Sequence, residues 1–152
     1  MVDRLVEHIR NLYSSELGKS REPEAYLFYG HDIGRVVDDK NRIFLPIDII
    51  SKVMARNRDY GHGEVNPRAV FMTSCNPLVP VIYLCYSPSR ILQIDDSNMS
   101  KGDYDLLMLF YSITSEEIIA PNRKLTLPKG LRGARKVVVR PDKEVFILES
   151  VE

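Results

Sequence analysis

Val2, Leu5, Val6, Ile9, Leu12 and Tyr13 recur at the spacing of one helical face, so residues 2–17 read as an amphipathic helix. Gly18 is a plausible stop, and Lys19–Glu24 a polar connection. Ala25–Tyr29 reads as a short aromatic strand closed by Gly30, followed by strands over 34–37 and 42–45 around the turn Asp38-Asp39-Lys40-Asn41. Pro46 then suits the first turn of a helix over 47–56, with Ile47, Ile50, Val53 and Met54 turned inward. Asn57–Pro67 is rich in turn formers, and 69–73 and 81–86 read as strands. Ser87-Pro88 opens a short helix with Ile91, Leu92 and Ile94 inward. Ser100 with Asp103 resembles a capping box for a second helix over 104–113, whose stripe Tyr104, Leu107, Met108 and Tyr111 reads as core. A closing hairpin joins 137–139 to 145–148. The class is α+β, with short strands and small helices rather than a βαβ series.

One stretch occurs twice. Val36–Pro46 reads V-V-D-D-K-N-R-I-F-L-P, and Ile118–Pro128 reads I-I-A-P-N-R-K-L-T-L-P. Aligned on their prolines, the copies match at Val36/Ile118, Val37/Ile119, Ile43/Leu125 and Leu45/Leu127, with basic residues at Arg42/Lys124. Each proline precedes a short helical segment, 47–56 and 129–132. An internal repeat constrains the whole fold. Here it implies one domain over 25–149, made of two related units at about 30–56 and 112–133. The N-terminal helix and its connection, residues 1–24, have no counterpart before the second unit and read as an appendage packed on the domain or on a neighbouring subunit.

Length and composition narrow the classes. At 152 residues, 44% hydrophobic and 28% charged, the chain is that of an ordinary globular domain. Charges within the first ten residues exclude a signal peptide's apolar segment, and Leu106–Tyr111 is far short of the ~20 residues of a membrane span. A cytoplasmic location is therefore expected, with Cys75 and Cys85 as buried reduced thiols. Net charge is zero, yet every charged residue from 118 to 141 is basic: Arg123, Lys124, Lys129, Arg132, Arg135, Lys136 and Arg140. A segregated basic face of this kind is a polyanion footprint. His62 between two glycines, His8 and His31 show no ligand spacing, and Thr73-Ser74-Cys75 and Ser112 have no recognisable base partner. Neither an enzyme, nor a metal or other cofactor, nor a small-molecule substrate is expected.

The segment Gly30…Val37-Asp38-Asp39-Lys40-Asn41-Arg42-Ile43-Phe44-Leu45-Pro46 resembles the MraZ family, which carries a strand–D-x-x-x-R–strand–Pro–helix unit twice per chain. The resemblance covers roughly residues 26–149 and extends more broadly to AbrB-type proteins. It implies a double swapped-hairpin β-barrel with short helices. Asn41 stands where that family usually has Gly, and both tolerate a left-handed backbone. In the second copy Ala120 replaces the motif's Asp and Lys124 its Arg, with Pro121 and Arg123 inside the turn.

The function implied is that of an oligomeric, nucleoid-associated transcriptional regulator that assembles into rings and sets basic turns against repeated sites on double-stranded promoter DNA. Linked copies on repeated sites gain through effective concentration. Arg42 would be the principal contact, with Asp38 orienting it; an intra-turn ion pair alone is the plainer reading of Asp38 and Arg42, and the two are compatible. Arg35 and Lys40 would touch phosphate, Asn41 would shape the turn, and Arg123, Lys124 and Lys129 would occupy the corresponding surface of the second half. Solubilising charge is the plainer reading of those three, and a subunit contact that of Arg132, Arg135 and Lys136. The alternative function is an oligomeric interaction or scaffold protein that keeps the barrel without DNA binding and depends on Leu5, Ile9 and Leu12. An enzyme whose site leaves no sequence signal is a third reading.

Overall fold

The computed structural model describes residues 2–17, 19, 21–59, 68–72, 81–84, 92–95, 97–112 and 114–151. Residues 87–91 of the proposed helix, His62, Cys75, Cys85, the Thr73-Ser74-Cys75 run and the side chain of Leu5 lie outside them, while Leu92 and Ile94 are half-buried in non-helical backbone.

The helices are α1 (Val2–Leu17), α2 (Ile47–Asp59) and α3 (Lys101–Ser112). The strands are β1 (Ile33–Val36), β2 (Arg42–Phe44), β3 (Arg68–Met72), β4 (Val81–Leu84), β5 (Thr114–Ile118), β6 (Lys124–Thr126), β7 (Lys136–Asp142) and β8 (Val145–Ser150). The chain is α+β, and every strand pairing among the described residues is antiparallel. Six strands run in the order β1-β7-β8-β4-β3-β5, and β2 pairs with β6 in a separate ribbon. The described strands do not close into one hydrogen-bonded barrel, because β2 and β6 are three residues each and ladder only with one another.

That strand order reads as a palindrome in the two halves. The first strand of each half lies on the third strand of the other, β1 on β7 and β5 on β3. The fourth strands, β4 and β8, meet at the centre, and the second strands, β2 and β6, meet in the ribbon with Ile43 opposite Leu125. Two of the matching hydrophobic pairs are the reason, whereas the pair Val36/Ile118 is exposed in both halves. Ile43, Leu45, Leu125 and Leu127 are all buried, each half supplying equivalent apolar positions to one shared core.

That core continues through Val137 and Val139 of β7 and Val145, Phe146 and Leu148 of β8. Pro141, which has no amide to donate, sits in β7 beyond the last residue paired with β1, where it interrupts no ladder on that side. Phe28, Tyr83 and Phe146 form an aromatic cluster, with Tyr83 stacked on Phe146 at 4.8 Å and Phe28 edge-on to both. Ile9, Tyr13 and Leu17 of α1 belong to the same core, and Arg10 is ion-paired with Asp142 of β7. The appendage is therefore packed on its own chain.

Three local expectations are corrected. Residues 25–29 form no strand. Pro23–Ala25 is a single 3-10 turn, and only Phe28 pairs, exchanging both backbone bonds with Lys143 at 2.8 Å. The inner face of α2 is Ile49, Ile50, Val53, Arg56 and Asn57, while Ile47 and Met54 face solvent. On α3 the buried residues are Leu107 and Phe110, whereas Tyr104, Met108 and Tyr111 of the expected core stripe are exposed together with Leu106 and Leu109. This helix is apolar on nearly every side, so its periodicity alone could not select the inward face. Its N-cap is as expected, the Asp103 amide donating to Ser100 Oγ at 3.1 Å.

Candidate nucleic-acid interface: two turns on one ribbon

The two turns that precede β2 and β6 have the same backbone. In the first, the Asp38 amide donates to the Arg42 carbonyl (2.9 Å) and the Asn41 amide to the Asp38 carbonyl (3.2 Å). In the second, the Ala120 amide donates to the Lys124 carbonyl (3.0 Å) and the Arg123 amide to the Ala120 carbonyl (2.9 Å). Asn41 and Arg123 occupy equivalent left-handed conformations, φ 57° and 68°. Each turn is also tied to the opposite half: the Leu127 amide donates to the Asn41 carbonyl and the Leu45 amide to the Arg123 carbonyl. The aligned residues of the repeat are thus structural equivalents.

The side chains are not symmetric. Asp38 Oδ1 accepts the Lys40 and Arg42 amides, both at 2.9 Å, a local bond pattern that closes the first turn. The second turn has Ala120 there, and the substitute is Asn122, whose Oδ1 accepts the Lys124 amide at 3.1 Å. The loss of the acid therefore leaves the second turn closed.

Asp38 Oδ2 accepts Arg42 Nε at 2.9 Å and, from the other half, Lys124 Nζ at 3.2 Å. Lys124 also lies 4.8 Å from the centre of the Phe44 ring, facing it across the ribbon. Partial burial opposes the charged form of Asp38. The Arg42 and Lys40 amides, followed by the Lys124 and Arg42 side chains, outweigh it and hold the carboxyl down at about 2. The group is an anion throughout the physiological range, with two cations on one oxygen.

The remaining expected site residues fall around this centre. Arg35, half-buried on β1, donates from Nε to the Phe44 carbonyl at 2.9 Å, which fixes it beside the ribbon. Lys40 and Arg123 are exposed at the tips of the turns. Asn41 also accepts the Gly133 amide through Oδ1 at 3.0 Å, anchoring the segment after β6. Lys129 opens the 3-10 turn Lys129–Leu131, and its side chain lies outside the described residues.

The basic run of the second half is not one surface. Arg140 is held by Asp32 and Glu149, both at 3.1 Å, and Arg132 stands 3.9 Å from Glu117. Glu117 itself is the positional equivalent of Arg35, and burial raises its carboxyl above the usual range, with Arg132 pulling the other way. The charge sign at this position is thus opposite in the two halves, and it was readable by extending the alignment one residue before Val36/Ile118. Asn122 had a sequence signal too, as an Asx residue two before the amide it caps. The Lys124–Asp38 contact spans 86 positions and had none.

Among the described residues no three His, Cys, Asp or Glu side chains come together so as to hold a metal ion, and no helix is long and apolar enough to cross a membrane. No protein-family model matches this sequence, and no curated protein matches it either.

Proposed function

We propose that this protein is a DNA-binding transcriptional regulator of the MraZ type, and that its interlocked halves are those of a swapped-hairpin barrel assembled into a homo-oligomer on the nucleoid. The observation that carries this reading is the pair of backbone-equivalent turns on one ribbon, each braced by the other half, with Lys40 and Arg42 beside two aspartates in the first and Arg123 and Lys124 without an acid in the second. Such bracing presents Arg42, Lys40, Arg123 and Lys124 from hydrogen-bonded backbone, so little backbone entropy is lost when they meet a phosphate backbone. Arg42 spends one of its five donors on Asp38, leaving the terminal amino groups for a phosphate or a guanine edge. Arg35 supplies a second positioning contact beside it. The protein as a whole is neutral, so attraction to DNA comes from this local face and is strongly screened by salt.

The test is fluorescence anisotropy on duplex DNA from upstream of the protein's own gene, at several salt concentrations, with Arg42→Ala beside the wild type. Affinity should fall linearly in log salt and drop by about tenfold or more in the variant. A folded wild-type protein that binds neither this duplex nor random duplex at low salt would refute the reading.

A second reading, an oligomeric scaffold without DNA binding, is favoured by one observation: the exposed apolar face of α3, where Leu109 is 63% and Tyr104 53% accessible. In that reading the dependence on α1 lapses, because Ile9 is already taken up by the chain's own core. Leu109→Lys would then dissociate the assembly.

A further inference from the structure

We propose that the two turns do not make two separate DNA contacts but one composite anion site, in which Arg42 and Lys124, gathered on the Asp38 carboxylate, receive a single phosphodiester group across the junction of the two halves. This rests on the DNA-binding reading and specifies how that site is built. Arg42 Nε and Lys124 Nζ bond the same oxygen, so they stand at most about 6 Å apart. Lys124 does not project from its own turn. It crosses the β2–β6 ribbon, passes over Phe44 and ends in the first turn's charge cluster.

The sequence differences between the copies agree with this division of labour. An acid in the second turn would compete for Lys124 and pull it back to its own side. Position 120 is Ala, and Asn122 closes that turn through a neutral amide. One carboxylate under two cations leaves a net positive centre, which is what an incoming phosphate meets. Asp38 is therefore a positioning residue. Its Oδ1 is engaged by the Lys40 and Arg42 amides, so the oxygen that holds the cations is itself fixed. Arg42 contributes directional donors and Lys124 a point charge, a pairing suited to one phosphate held at two of its oxygens.

Two measurements on the full chain test this. The first needs no DNA: the Asp38 carboxyl is titrated by carbon-13 NMR in the wild type, Lys124→Ala and Arg42→Ala. The expected result is a midpoint near 2 in the wild type that rises in each variant, Lys124→Ala included. A midpoint unmoved by Lys124→Ala would overturn the shared carboxylate.

The second is the slope of log affinity against log salt on a 20-base-pair duplex for the wild type, both single variants and the double variant. Each phosphate neutralised contributes about 0.9 to that slope. If both cations serve one phosphate, the double variant loses about one such increment for each subunit bound to the duplex. A loss of about two per bound subunit would mean independent contacts and would overturn the composite site. A wild type whose Asp38 titrates as expected but which binds no duplex would remove the ligand, and with it both this proposal and the DNA-binding reading. Circular dichroism of each variant confirms that the fold is intact.

Discussion

Arg56 is the sharpest test of how the fold is held together. It is fully buried on α2, and its guanidinium bonds three backbone carbonyls: Tyr26 from Nε at 2.8 Å, Glu144 from Nη1 at 2.6 Å and Lys143 from Nη2 at 3.3 Å. It also lies over the Phe28 ring at 4.5 Å, with Tyr13 and Tyr83 within 6 Å. One side chain thus ties α2 to the segment before β1, to the β7–β8 turn and to the aromatic cluster. A hydrogen bond to a charged group contributes about 1.5–3 kcal/mol, and desolvating the guanidinium offsets part of that. Truncation removes the guanidinium's bonds to the half-buried Tyr26 and Glu144 residues, while the Lys143 carbonyl keeps the Phe28 amide. Arg56→Ala is expected to cost about 3–5 kcal/mol, from the lost charge-assisted hydrogen bonds together with the cavity left beside the aromatic cluster. At about 2–4 °C per kcal/mol for a chain of this length, the midpoint should fall by about 6–20 °C.

Arg56→Met separates the two contributions, since it keeps most of the apolar bulk and none of the donors. It should still cost about 2 kcal/mol or more, from the charge-assisted hydrogen bonds lost to the Tyr26 and Glu144 carbonyls. Urea unfolding followed by circular dichroism gives both values. A methionine variant within about 0.5 kcal/mol of the wild type would refute the reasoning, because the carbonyls would then not need the guanidinium.

Further outcomes follow from the turns and the helices. The Asp38 carboxyl is depressed to about 2 when folded, below its ordinary value, so its contribution to stability is complete above pH ~4 and is lost as pH falls toward 2; Asp38→Asn should flatten that acid limb in pH-dependent melts. Arg123 holds φ 68° with an exposed side chain, so Arg123→Gly should gain about 0.5–1 kcal/mol of stability in urea melts while weakening duplex binding in anisotropy. Asn41→Gly should gain less, because it also loses the Gly133 bond. Ser100→Ala removes the N-cap of α3 and should cost about 1 kcal/mol by the same melts.

Much of the fold was legible because it is repeated. Two copies of a strand–turn–strand–proline unit, with buried residues at matching places, led directly to two equivalent turns and a shared core. What failed did so for local physical reasons. Arg56 falls at helical spacing from Val53 and Ile49, but no polarity rule buries an arginine, and only the carbonyls of Tyr26, Lys143 and Glu144 make that burial affordable. Ile47 and Met54 were placed inward because they are apolar, yet the face of α2 is set by where Arg56 must reach. In the site, Asp38 with Arg42 was visible as a four-residue spacing. Lys124 belongs to the same cluster only because β2 and β6 pair across the two halves, a tertiary fact that neither turn's sequence carries.

The most direct measurement of the central claim is amide and side-chain chemical-shift mapping of the protein as a 20-base-pair duplex is added. The account expects the largest changes at Arg35, Lys40, Asn41, Arg42, Arg123 and Lys124, with Leu106, Leu109 and the rest of the α3 face unmoved. Changes confined to α3, or none at all at a DNA excess in low salt, would contradict it.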